Sequence, residues 1–309
     1  MNLSSGSLER AIPRPSAPIR LSRVATIIVF LLPATLAYLG LVLFPIVQGI
    51  YYSFFRWNGL GPAENFIGLD NYVRAFSDRV FLSALGHNLL IVALSLLLQL
   101  PLALGLALLV RSMVRGRTLF RTIFFLPFVL SEVITGVIWS FIYRPQGGLI
   151  TWLFQQLAPN AQPPALLADP DTVLYALFVV ITWKYFGYHM ILYIAGLQNI
   201  PAELEEAAQI DGAGRWQVLR YVTIPLLGTT IRLTIYLSVL GAIQLFDLVW
   251  VMTGGGPVNA SDTMATYLYK FGFQRFQLGY GSAVAVIMFL ICFVFSLVYQ
   301  RYALRRDFE

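Results

Sequence analysis

Residues 82–110 read LSALGHNLLIVALSLLLQLPLALGLALLV, with no Asp, Glu, Lys or Arg among them. A hydrocarbon core of about 30 Å is crossed by about 20 apolar residues rising 1.5 Å each. This stretch is long enough to span. Within it, Leu94-Ser95-Leu96-Leu97-Leu98-Gln99-Leu100 does not alternate apolar with polar, as the roughly ten-residue strands of a membrane barrel do. The reading is helix, and lipid is the main solvent.

Five further runs of similar character lie at 24–54, 119–143, 172–197, 224–252 and 281–302, which predicts an all-α polytopic membrane protein of about six transmembrane helices. Composition agrees: 58% of residues are hydrophobic, 12% are charged and the mean hydropathy is +0.72, whereas a soluble domain carries about 25% charge. Residues 1–23 are rich in Pro and Arg and precede an apolar run too long for a signal-peptide core, so that run reads as a retained first span. The organisation expected is a cytoplasmic tail at 1–23, a six-span membrane domain at 24–302 and a cytoplasmic tail at 303–309. Cys292 is the sole cysteine, so no disulfide and no cysteine metal site forms within one chain.

Basic residues set the orientation. Thirteen arginines fall on the side shared by the N-terminus: Arg10, Arg14, Arg20 and Arg23, then Arg111, Arg115, Arg117 and Arg121, then Arg215 and Arg220, then Arg301, Arg305 and Arg306. The opposite side holds six basic residues, Arg56, Arg74, Arg79, Arg144, Lys270 and Arg275. By the positive-inside rule both termini are cytoplasmic. The net charge of +6 reads as orientation and contact with anionic lipid headgroups, and nucleic acid is not an expected partner.

Two loops, at 56–81 and 144–171, fall outside. The cytoplasmic loop at 198–223 differs, with Glu203, Glu205, Glu206 and Asp211 on the side where positive charge collects. Pro201 suits a first helical turn, the glutamates suit its positive end, and Asp211-Gly212 should stop a helix at 202–210. A second helix is expected at 215–222, with Trp216, Leu219 and Val222 on one face, before Pro225 opens the fifth span. Ala207 and Ala208 beside Glu206 let a backbone sit deep in a groove of another protein while one charge fixes the register.

Glu206-Ala207-Ala208, three residues, Gly212, nine residues, then Val222-Thr223-Ile224-Pro225 resembles the E-A-A-x3-G-x9-I-x-L-P motif of binding-protein-dependent ABC importer permeases, with Val for Ile and Ile for Leu. WKYFGYHMILYIAGLQNIPAELEEAAQIDG (183–212), FIGLDNY (66–72) and TGGGP (253–257) resemble the carbohydrate branch, in particular the larger maltose permease and the glycerol-phosphate permease. That resemblance implies that Glu206, Ala207, Ala208 and Gly212 form a coupling helix docking on a cytoplasmic ATPase. It also implies a second permease subunit, two ATPase subunits that use ATP and Mg, an extracytoplasmic solute-binding protein and a sugar-like substrate, in a bacterial or archaeal cell (inner) membrane. No cofactor is expected on this chain. The sequence has no G-x-x-x-x-G-K-[ST], and its only lysines are Lys184 and Lys270, so it is not expected to hydrolyse ATP.

Lys184 and Glu132 lie at comparable depth in the fourth and third spans, where a charge must face the bundle interior or water. They read either as a structural ion pair or polar interface, or as substrate contacts. Gln244 and Asp247, three apart and expected on one helical face with Phe246 beside them, form the leading substrate-facing patch, with polar packing as the alternative. Trp183, Tyr185, Phe186 and Tyr188 make a similar aromatic cluster that reads as packing or as a sugar face. His189 and His87 read as structural histidines, against a proton relay. Gly254-Gly255-Gly256-Pro257 lacks the Lys and helix of a phosphate loop and reads as a turn. The competing function is an ion-gradient-driven secondary transporter, which predicts inverted repeats that the sequence does not display. A membrane-embedded enzyme would need paired acids, H-E-x-x-H or a nucleophile with its base, and neither histidine has such a setting.

Overall fold

The computed structural model describes residues 23–112, 116–159 and 162–304; the predicted tails, with Arg10, Arg14, Arg20, Arg305 and Arg306, and also Arg115, lie outside these. Apart from one antiparallel bridge between Phe55 and Phe66, the regular structure of the described residues is helical. The chain divides into two units, Met1–Gln48 and Gly49–Glu309. The first is, in its described part, mostly the stretch up to Gln48 of helix α1 (Ala25–Tyr52), which is strongly apolar and carries no Asp, Glu, Lys or Arg.

The second unit contains α2 (Asp70–Ser77), α3 (Arg79–Arg111), α4 (Arg117–Val129), α5 (Glu132–Ile142), α6 (Leu149–Leu157) and α7 (Val173–Gln198). It continues with α8 (Ala202–Ile210), α9 (Arg215–Leu226), α10 (Gly228–Ile243), α11 (Asp247–Thr253), α12 (Met264–Leu268) and α13 (Leu278–Ala303). Four helices, α1, α3, α7 and α13, are each long and apolar enough to cross a membrane, and the count reaches six if each of two bent pairs is one span. The third predicted span is bent by 97° between α4 and α5, and the fifth by 65° between α9 and α10. The second helix of the 198–223 loop therefore does not end before Pro225, as expected, but runs to Leu226.

Proline explains one recurrent distortion. In α1, α3 and α9 a wide turn, Leu39–Leu43, Ser95–Gln99 or Leu219–Thr223, stands just before Pro45, Pro101 or Pro225. In each the following amide reaches back five residues, Phe44 to Leu39, Leu100 to Ser95 and Ile224 to Leu219. Proline has no N–H to offer and its ring crowds the carbonyl four residues back, so the preceding turn widens.

A second break, at 244–246, corrects the expectation that Gln244 and Asp247 share one helical face: Gln244 ends α10, and Phe246 precedes α11. Breaks at membrane depth strand backbone carbonyls that lipid cannot satisfy. Here side chains from other elements meet them. Asn88 of α3, fully buried, donates Nδ2–H to Ala242 O at 2.6 Å and accepts from Met264 N–H at 2.9 Å. Thr263 Oγ1 donates to Leu245 O at 2.7 Å. At the α4–α5 break, Lys184 Nζ donates to Leu130 O at 2.6 Å, while Ser131 caps α5 by accepting Ile134 N–H.

Helix α7 is the centre of the second unit, with 56% of its span buried. The stretch Leu100–Ser112 of α3 and all of α4 pack against it, and α5 packs against α11. Gly187 permits the α4 contact: a Cβ there would lie 1.8 Å from the Phe124 carbonyl oxygen. The TGGGP segment is the turn expected of it, closing α11 with Gly254 at φ +58° and folding over the buried Asp262, which Lys270 meets at 2.8 Å.

Candidate functional site

Two places gather chemistry. The first is the loop at 198–223. Helix α8 ends as predicted at Asp211-Gly212: Gly212 N–H bonds to Gln209 O at 3.0 Å and Ala213 N–H to Ala208 O at 2.9 Å. This double closure requires a left-handed residue, and Gly212 has φ +88° with open space where its Cβ would point. Glu206 and Ala207 are exposed and Ala208 is half-buried, with exposed Leu204, Ile210, Trp216 and Tyr221 alongside.

Glu205 turns the other way. Arg111, at the end of α3, grips both its oxygens at 2.9 Å, and Thr223 of α9 donates to Oε1 at 2.8 Å. Burial alone would raise this carboxyl's pKa, but the hydrogen bonds from Arg111 and Thr223 and the guanidinium charge outweigh it and hold it below the usual value. The loop is thus tied to α3 and to α9 by one side chain.

The second place is a cavity of about 400 Å³ where α3, α4, α7 and α10 meet the starts of α5 and α11. Its polar lining comprises Ser95, Gln99, Glu132, Tyr185, Tyr188, His189, Ser238, Gln244 and Asp247, and its aromatic lining includes Phe128 and Phe246. Ser95 and Gln99 bound the wide turn of α3. Tyr185 Oη donates to Glu132 Oε1. The Phe128 and Tyr188 rings stack at 4.6 Å and 14°. His189 is 4% exposed, and its Nδ1 has no hydrogen-bond partner. The lining offers hydroxyls, amides, carboxylates and flat apolar rings. Among the described residues no three His, Cys, Asp or Glu come together as a metal site.

Of the residues singled out from sequence, Glu132, Tyr188, Gln244, Phe246 and Asp247 line this one cavity, although they lie on separate elements. Trp183 and Lys184 do not. Trp183 packs edge-on against Trp139 at 5.6 Å, and Lys184, 3% exposed, gives its hydrogen bond to the Leu130 carbonyl while its charge still acts on Glu132. His87, also absent from the lining, donates to the Asp262 carbonyl at 2.8 Å. Sequence reading gave no role to Gln99 or Asn88 and did not separate Glu205 from its neighbouring glutamates. The polar residues inside the 82–110 run were a usable signal for the first two; the Glu205 contact joins positions 94 apart and left none.

A family model described as "Binding-protein-dependent transport system inner membrane component" matches residues 99–307. The "Probable ABC transporter permease protein YurN" of Bacillus subtilis is 36% identical over 275 residues, covering 88% of this chain and 94% of that protein. The "Probable starch degradation products transport system permease protein AmyD" of Thermoanaerobacterium thermosulfurigenes is 32% identical, covering 91% and 94%. Among solved structures, a bacterial ABC transporter involved in the import of the acidic polysaccharide alginate has a chain of the same fold, with TM-score 0.80, 24% identity and coverage of 91% and 95%. With the match running from the second half of α3 through α13, this chain belongs to the inner-membrane components of binding-protein-dependent transport systems, the permease part of an ABC transporter and not its ATPase.

Proposed function

We propose that this chain is the permease subunit of a sugar importer, and that its cavity is the chain's share of the substrate path. The observation that carries the reading is the double role of α3. One end of this helix grips Glu205 of the cytoplasmic loop, and its middle, Ile91, Ser95 and Gln99, lines the cavity. A displacement of α8 is thereby handed to the cavity wall through packed helix. The starch-product relative supports a carbohydrate substrate, as does a lining that pairs planar hydrogen-bonding groups with aromatic faces.

In this reading, Glu206, Ala207, Ala208 and Gly212 dock on one of two cytoplasmic ATPase subunits that use ATP and Mg. A second permease chain completes the path and an external solute-binding protein delivers the sugar. Both termini are cytoplasmic in a prokaryotic inner membrane. ATP binding shifts the population between two cavity orientations through the loop.

Gln244→Ala and Asp247→Ala test the cavity. Each removes hydrogen bonds to the sugar and should lower uptake, while complex assembly and substrate-independent ATP hydrolysis stay near wild type. Unchanged uptake kinetics in both variants would return these residues to packing.

A further inference from the structure

A transporter with a chain of this fold is involved in the import of an acidic polysaccharide, so the fold does not by itself require an uncharged cargo. The lining can. Its charged side chains are Glu132 and Asp247, and neither Lys nor Arg is among the lining residues. Both carboxylates stand in the first turn of a helix that begins at a break, α5 and α11. Helix N-termini are otherwise ready sites for a ligand's anionic group. Here each positive end already faces a carboxylate of the chain itself. Lys184 is absent from the lining, its ammonium bonded to the Leu130 carbonyl, from where its charge offsets part of that of Glu132 but lies outside the cavity wall.

A second feature points to a hydroxyl-bearing ligand. The acceptor-only carboxylates suit hydroxyl donors, and the Phe128, Tyr188 and Phe246 rings suit the C–H faces of a pyranose.

From this geometry we infer that the cavity takes an uncharged sugar and refuses anionic ones, uronates and sugar phosphates alike. The inference rests on the reading of the cavity as substrate path. A carboxylate brought into a partly desolvated site beside Glu132 and Asp247 loses about tenfold or more in affinity to like-charge repulsion.

The test is equilibrium dialysis of radiolabelled maltotriose, cellotriose and mannotriose, each against its C6-oxidised uronate, on the purified transporter complex without solute-binding protein. Wild type should bind at least one neutral sugar, and its uronate about tenfold or more weakly. Glu132→Gln combined with Asp247→Asn should close most of that gap, since the amide oxygen introduced by Glu132→Gln can still accept from Tyr185. Equal binding of a uronate and its neutral parent by wild type, or a gap that persists in an intact double variant, overturns the charge inference alone. Failure of every neutral sugar to bind, or neutral binding unaffected in Gln244→Ala with Phe246→Ala, overturns the cavity as the site, and the charge inference with it.

Discussion

Glu205 and Glu206 are adjacent in sequence and opposite in environment: one is gripped by Arg111 and Thr223, the other is exposed. Because the folded-state pKa of Glu205 is lowered, its stabilisation is fully present above the unfolded carboxylate pKa and is lost as pH falls through the lower folded value. Glu205→Gln should cost about 1–2 kcal/mol of local stability, given a bidentate charged pair that is only partly buried. Hydrogen exchange at the α8 amides checks this. At neutral pH the variant should exchange faster than wild type, and the difference should vanish in acid as wild type loses the same interaction. That the loop is acidic and helical was legible, through Pro201, the glutamates and Asp211-Gly212. Which carboxylate turns inward was not, because its partner is supplied by another span.

At the scale of elements, the two broken spans depend on donors from their neighbours. Lys184→Met strands the Leu130 carbonyl, and Asn88→Leu strands those of Ala242 and Ile243 together with the Met264 amide. Each should destabilise the purified protein by about 1–3 kcal/mol, read as an earlier thermal unfolding transition, whereas a solvated polar residue would change little. Gly187→Val should do at least as much by driving α7 off the α4 backbone, and here the effect comes from overpacking, not from a lost hydrogen bond. The spans themselves were legible from hydropathy. The α4–α5 break had local signals in Pro127, Ser131 as N-cap and Glu132 behind it. The break at 244–246 had none: Gln244-Leu245-Phe246 could continue a helix, and it opens because Asn88 and Thr263 satisfy the carbonyls that opening exposes. That is why Gln244 and Asp247 reach the same cavity from two helices and not from one face of a single helix.

Across the whole molecule, the charge asymmetry of the loops predicts that a reporter fused after Glu309 stays protected from the outer side while a tag at Pro163 is accessible there. Accessibility of both from one side would refute that topology. Family membership was legible because Glu206-Ala207-Ala208 to Pro225 is a local motif at fixed spacing. The cavity was only partly legible, because it is assembled from stretches of chain that lie far apart in sequence.

The reading stands or falls on transmission from loop to cavity. Glu206→Lys reverses the exposed charge of α8, and Gly212→Asp places a side chain where φ is +88°, while neither touches a span. Uptake and ATP hydrolysis should be measured together on complexes reconstituted in vesicles. Both variants should insert normally, yet uptake should fall, either with loss of the ATPase subunit on purification or with hydrolysis that no longer drives transport. Wild-type uptake per ATP hydrolysed in both variants, with the ATPase fully retained, would contradict the coupling role of this loop.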